Sequence, residues 1–353
     1  MSARRADPPG APGAPDIPGV SGPPDVSGVP GARTGEPCRT GGGEQAHGRG
    51  AGDPPRGGAV SHLHRQGRAA HVFLIPWQLG LVLITAVPLL ASLYLAFTDY
   101  NILASPHFTG FENFRRMAHD AQFWHAVRVT LIYVVVSVPL QLAFALLLAL
   151  VLDRGLRGLA FYRSAFYLPS LLGASVAVAI LWRQIFGDTG LVNRVLDVVG
   201  IDGHSWLQDP ATALATLILL HIWAFGSPMV IFLAGLRQIP DDLYEAARVD
   251  GAGMWRQFRH ITVPLLTPII FFNLILQTIG AFQSFTQADI VSKGTGGPSD
   301  STLFYTLYLY KQGFVNFDMG YASALAWVLL VVVAVITAGH FLMSKYWVFY
   351  GDE

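Results

Sequence analysis

From residue 72 onward the chain alternates long apolar blocks with short polar intervals. The blocks run from 72 to 97, 127 to 152, 161 to 185, 211 to 235, 265 to 285 and 321 to 343. Each has roughly the 20 residues that cross about 30 Å of hydrocarbon at about 1.5 Å per helical residue. Buried helices of a water-soluble protein would be shorter and would carry polar faces. The pattern predicts an all-α integral membrane protein with six transmembrane helices. Pro76, Pro88, Pro139, Pro169 and Pro228 fall inside these blocks. Membrane helices accept proline because their neighbours satisfy the freed carbonyls.

Residues 1 to 70 have a different character. Gly and Pro dominate, with Arg4, Arg5, Arg33, Arg39, Arg49, Arg56, Arg65 and Arg68 scattered among them. Glycines 10, 13, 19, 22, 28 and 31 share a three-residue register, but Asp16 and Asp25 stand where a triple helix requires Gly. Such a segment buries too little apolar surface to offset the entropy of ordering it. The expectation is a disordered tail over 1–70 and a membrane domain over 71–350. No apolar core of a signal peptide opens the chain. Over all 353 residues, 52% are hydrophobic and 13% charged, against about 25% charged in soluble domains. The net charge of +0 favours no nucleic-acid partner, and Cys38 alone allows neither a disulfide framework nor a thiolate metal cluster. No metal site and no cofactor are expected.

Arginine and lysine near the span ends set the expected orientation. Arg56, Arg65 and Arg68 precede the first block. Arg154, Arg157 and Arg163 follow the second, and Arg237, Arg248, Arg256 and Arg259 follow the fourth. These intervals would face the cytoplasm, as would Lys345, so both termini lie inside. Arg115, Arg116 and Arg128 beside the first outer interval make the bias uneven.

The interval 240–264 is too charged to cross a bilayer, yet it is not loop-like. Pro240, Asp241 and Asp242 suit a helix start, because acids favour its positive end. Gly251 and Gly253 break that helix. A second short one is expected from Met254 to Phe258, with Pro264 closing it. Two such short helices need a supporting surface, either the lipid interface or a partner protein. In the fifth block Asn273, Gln277, Gly280, Ser284 and Gln287 follow steps of four, three, four and three, which is one helical face. These polar groups either bond between helices or meet a hydroxyl-rich ligand. His221 and Trp223 in the fourth block have the same two readings: packing, or a ligand contact. Arg183 ends the third block and is expected to snorkel toward solvent.

The run Glu245-Ala246-Ala247, then Asp250-Gly251-Ala252, Ile261 and Pro264, resembles the EAA loop of ABC importer permeases. Its flanks, Ala234-Gly235-Leu236 and Ile239-Pro240, fit as well. Phe97-Thr98-Asp99-Tyr100, Gly110-Phe111-Glu112-Asn113-Phe114, Leu181-Trp182, Gly190-Leu191-Val192-Asn193 and Gly296-Gly297-Pro298 narrow the resemblance to the MalF-like sugar permeases. It covers residues 70 to 350. The resemblance implies a MetI-like bundle of the type I importers in a bacterial or archaeal cell membrane. It implies that Glu245, Ala246, Ala247, Asp250, Gly251 and Pro264 form a coupling site. Two cytoplasmic ATPase subunits would drive it. A second homologous permease, an extracellular solute-binding protein and a sugar complete the expected partners. It also puts the sugar between the later spans, which brings the ligand reading of Asn273, Gln277, Gly280 and Ser284 level with the packing one; His221 and Trp223 join them as candidate path residues with packing still open. The chain contains no G-x-x-x-x-G-K-[ST] phosphate loop, so hydrolysis would belong to another subunit. An ion-driven carrier would need acids or broken sodium-binding helices within the spans, and a membrane enzyme would need clustered His, Asp or Glu; the sequence offers neither clearly.

Overall fold

The computed structural model describes residues 74–153, 158–173 and 175–349. The expected tail over 1–70 lies outside them, as do Arg154 and Arg157. In chain order the helices are α1 (Leu74–Leu95), α2 (Glu112–His119), α3 (Ala121–Asp153), α4 (Leu159–Leu172), α5 (Val176–Ile185), α6 (Leu191–Val198), α7 (Pro210–Trp223), α8 (Gly226–Leu236) and α9 (Asp241–Val249). They continue with α10 (Met254–Phe282), α11 (Thr286–Ser292), α12 (Tyr305–Tyr310) and α13 (Met319–Trp347).

Helix α3 is the central post. Its buried residues include Ala126, Thr130, Tyr133, Ser137, Gln141, Ala145, Ala149 and Leu152, in steps of three and four that define one face. Ala126, Ala145 and Ala149 are fully buried, and small side chains let membrane helices approach closely. Against this face pack α7, α8, α10 and α12. The opposite side of α3, with Val135 and Leu147, is exposed and apolar, as a lipid-facing surface must be. Helix α1 stands outside this core and packs on α13.

Among the described residues, four helices are long and apolar enough to span a membrane unbroken, namely α1, α3, α10 and α13. The third and fourth expected spans are each broken. The run Phe161–Leu172 meets α5 at 96°, and α7 meets α8 at 41°. Counting each bent pair as one span gives six. The breaks have local causes. Ser175 caps α5, its hydroxyl accepting from Val178 N at 3.3 Å. At the start of α8, a side chain on Gly226 would collide with the carbonyl oxygen of Phe166 and lie 2.8 Å from the Tyr167 Cα. Only glycine allows α8 to lie directly on the α4 backbone.

Two further expectations are corrected. Met254 to Phe258 is not a separate helix closed by Pro264. The helix runs on unbroken into α10 through a wide π turn at Phe258–Thr262, with Pro264 in the first turn of the α-helical part. Proline removes one N–H and crowds the carbonyl four residues back; a π turn shifts that carbonyl's register. The polar stripe from 273 to 287 is not one helical face either, because α10 ends at Phe282 and Gln287 belongs to α11.

The two ends of α3 define two ends of the bundle. Just ahead of its first residue, Asp120 accepts hydrogen bonds from the hydroxyls of Tyr308 and Tyr321 and from the backbone N–H groups of Gln122 and Phe123. Burial pushes this carboxyl upward, but the hydrogen bonds outweigh it and hold it below the usual carboxylate range. Arg116 lies 4.3 Å from the Tyr321 ring centre and 2.5 Å from Asp318, the cap of α13. Together they tie α2, α3, α12 and α13. At the same end, Asn113 donates to the carbonyls of Ala96 and Thr98 at 3.0 and 2.8 Å. Phe97, Phe111 and Phe114 cluster beside it. At the other end of α3, Asp153 lies 3.8 Å from Arg237, just ahead of α9.

Candidate functional site

The segment 240–264 forms an exposed knuckle on the Asp153 end of the bundle. Pro240 caps α9, and Asp241 and Asp242 occupy its first turn. The helix stops in a two-bond Schellman turn: Gly251 N donates to Arg248 O at 3.0 Å, and Ala252 N to Ala247 O at 2.8 Å. Gly251 has φ +75°, and a side chain there would touch nothing. Glycine is therefore required for backbone conformation, not for space. The Tyr244 hydroxyl shares a 2.9 Å hydrogen bond with Thr262, which anchors α9 to α10. Gln257 Nε2 donates to Ala252 O at 2.8 Å and fixes the connection. Glu245, Ala246, Asp250 and Gly251 are exposed, Ala247 and Pro264 half-buried. Around them Val249, Met254 and Trp255 are 87%, 76% and 72% exposed. This is an acid-bearing, partly apolar surface that no other described residue covers.

The second site is a polar cavity of about 430 Å³ where both broken spans meet the end of α10. Breaking α7 from α8 frees carbonyls that a continuous helix would have satisfied. Gln141 of α3 donates to two of them, His221 O and Ala224 O, both at 3.0 Å. The Ser170 hydroxyl also donates to Ala224 O at 2.9 Å, and accepts from Ser227 N at 2.8 Å. Gln287 Nε2 donates to Gly173 O at 3.0 Å, beside the other break. Irregular backbone at membrane depth is tolerated where it is buried or lines a cavity, and here polar side chains from distant helices satisfy it. His221 shares a 3.1 Å hydrogen bond through Nδ1 with the Tyr133 hydroxyl. Among the described residues, its Nε2 and Gln141 Oε1 are buried without a hydrogen-bond partner. Buried polar atoms are nearly always bonded, so these two are exceptions, both on residues of the cavity lining.

Of the expected path residues, Gln277, Gly280, Ser284 and His221 line this cavity together, as does Gln287. Asn273 and Trp223 do not. Asn273 is fully buried and donates to Ile269 O, one turn back, at 3.1 Å. Trp223 packs near Trp182, ring centres 6.2 Å apart, in a side cluster with Phe186 and Leu220. Tyr133, Gln141 and Ser170 are cavity residues that sequence reasoning passed over. Gln141 amid an apolar block was the available signal, since an amide in hydrocarbon seeks a partner.

Comparison with known proteins fits this arrangement. Residues 122–345 match the family described as binding-protein-dependent transport system inner membrane component. The probable ABC transporter permease protein YesP of Bacillus subtilis (strain 168) is 51% identical over 82% of this chain and 95% of its own. The lactose transport system permease protein LacF of Rhizobium radiobacter is 36% identical over 73% of this chain and 88% of its own. Among solved structures, a bacterial ABC transporter involved in import of the acidic polysaccharide alginate superposes with a TM-score of 0.67. It covers 81% of this chain and 98% of that one at 22% identity, which speaks to fold. The chain belongs to the family of inner membrane components of binding-protein-dependent transport systems.

Proposed function

We propose that this chain is one permease subunit of an ATP-driven importer, that its cargo is a carbohydrate, and that the knuckle at 240–264 couples the two. The observation that carries the proposal is the neutral polar cavity at the junction of two broken spans. It offers amide, hydroxyl and imidazole groups with unpartnered buried atoms. A sugar presents hydroxyls that both donate and accept, so it matches that lining without a charge to desolvate. Relatives named for lactose, for starch degradation products and for arabinooligosaccharides support the same class.

The exposed knuckle suits a cytoplasmic ATPase. Its apolar residues lie around Glu245, and its Schellman turn makes it stiff enough to transmit force. In this reading two ATPase subunits dock on this permease and on a homologous second one, and a solute-binding protein delivers the sugar at the Asp120 end. Both chain termini then face the cytoplasm, in a bacterial or archaeal cell membrane. Gln277, Gly280, Ser284 and His221 contact the sugar; Asn273 and Trp223 serve packing.

The test is uptake by vesicles carrying the assembled transporter. Saccharide uptake should require both ATP and the binding protein. Uptake that persists without the ATPase subunits and collapses with an uncoupler would overturn the proposal.

A further inference from the structure

The cations on the path walls have no role in the coupling or cavity chemistry above. Helices α5 and α11 pack side by side. Both start at the central cavity: Gly173 lies just before α5, and Thr286 and Gln287 open α11. Both end at a second cavity of about 560 Å³, whose walls include Arg183, Asp188, Gln208 and Lys293. Pro298 also lines it, and the 3-10 turn Pro298–Asp300 bonds to His125 and Gln122 near the start of α3. This mouth is therefore at the bundle end distant from the knuckle.

The charges at the mouth are unequal in their commitments. Asp188 is occupied, accepting from Ser205 Oγ and Gln208 Nε2, both at 2.9 Å. Arg183 is half-buried on the wall instead of snorkelling free, and makes one long bond, 3.4 Å, to Ile290 O. Among the described residues neither Arg183 nor Lys293 has a carboxylate within ion-pair distance. Lys293 stands in the left-handed turn that ends α11, at φ +57°. That conformation favours glycine and is costly for lysine. A third cavity, about 570 Å³, shares Ser227 with the central one and holds Arg163. Arg163 likewise has no carboxylate partner among the described residues. Among the described residues the central lining carries no acid.

We propose that the path is selective for anionic saccharides bearing a carboxylate, as in uronic-acid oligosaccharides. This rests on the carbohydrate reading above and narrows it. Arg183 and Lys293 receive the carboxylate at the mouth, and Arg163 receives it beyond the central cavity. A guanidinium fork matches carboxylate geometry in two parallel bonds. The acid-free centre imposes no repulsion between these stations.

The experiment uses the complete transporter with its binding protein in vesicles. Uptake of di- and trigalacturonate is compared with uptake of neutral galactobiose and galactotriose and of glycerol phosphate. The acidic oligosaccharides should be taken up in preference. R183Q combined with K293Q should raise their KM roughly tenfold or more, while R183K should retain most of the preference. Raising ionic strength should weaken uptake of the acidic sugars selectively. Equal or better uptake of the neutral sugars, with R183Q/K293Q indifferent, overturns the anionic assignment and leaves the carbohydrate reading standing. Uptake of glycerol phosphate in place of any saccharide overturns both.

Discussion

Replacing Gly251 isolates the contribution of one backbone conformation. Its φ of +75° lies in the left-handed region, and an added side chain would meet no atom within 4 Å. Gly251→Ala and Gly251→Val thus create no clash; they change only the energy of the turn. A side-chain-bearing residue costs about 1–2 kcal/mol there, and β-branched valine costs the most. If the turn relaxes, the bonds Gly251 N to Arg248 O and Ala252 N to Ala247 O go with it. A shift of this size reduces the population of the native knuckle roughly five- to thirtyfold relative to its alternatives. The spans do not touch the substituted atom, so assembly and thermal stability of the membrane bundle should be unchanged. In vesicles containing the full transporter, uptake per ATP hydrolysed should fall in the order glycine, alanine, valine. Gly251→Asn should largely restore it, because asparagine accepts the left-handed region. A valine variant that assembles and transports with wild-type yield per ATP would refute the argument that this turn transmits the coupling.

Two other predictions concern the bundle itself. The Asp120 carboxyl is held below its ordinary value of 3.8 in the folded state. Its stabilisation is therefore complete above that value and lost as pH falls through the lower folded one. Thermal unfolding in detergent should show wild-type protein losing stability below about pH 4, with Asp120→Asn flatter there and less stable by about 1–3 kcal/mol at neutral pH. Gln141→Leu strips a donor from His221 O and Ala224 O. Each carbonyl keeps one other donor, Ala224 N for His221 O and the Ser170 hydroxyl for Ala224 O, so the variant should be less stable by about 0.5–1.5 kcal/mol for each bond lost and should lower uptake, with Ser170→Ala milder because Gln141 still serves Ala224 O.

Much of the fold follows from composition along the chain, because a bilayer demands long apolar helices whatever their partners. The breaks at Gly173 and Ala224 did not follow. An apolar window looks the same bent or straight, and the α7–α8 break is stabilised by Gln141, some 80 residues earlier in the chain. For the same reason the stripe from 273 to 287 appeared as one face: spacing records period, not the helix end at Phe282. Four of its members still reach the cavity, since the turn after α10 folds Ser284 and Gln287 back onto it. Asn273 shares the period but bonds its own helix. The helix start at Pro240 and the turn at Gly251 were legible to a greater depth, because acids at a helix start and glycine after its end act locally. The separate helix expected from Met254 to Phe258 and its closure at Pro264 were misjudged, since proline is tolerated in a first turn behind a π turn.

If the knuckle docks on the ATPase, a thiol at Val249 is shielded in the assembled transporter. Val249 is 87% exposed, and Cys38 is the chain's one native cysteine, so Val249→Cys with Cys38→Ser gives a single reporter. Its labelling by a membrane-impermeant maleimide is measured on the detergent-purified permease with and without the ATPase subunits. Labelling should slow at least about tenfold when they are bound, a protection worth about 1.4 kcal/mol. Equal labelling rates in the two preparations would contradict the account.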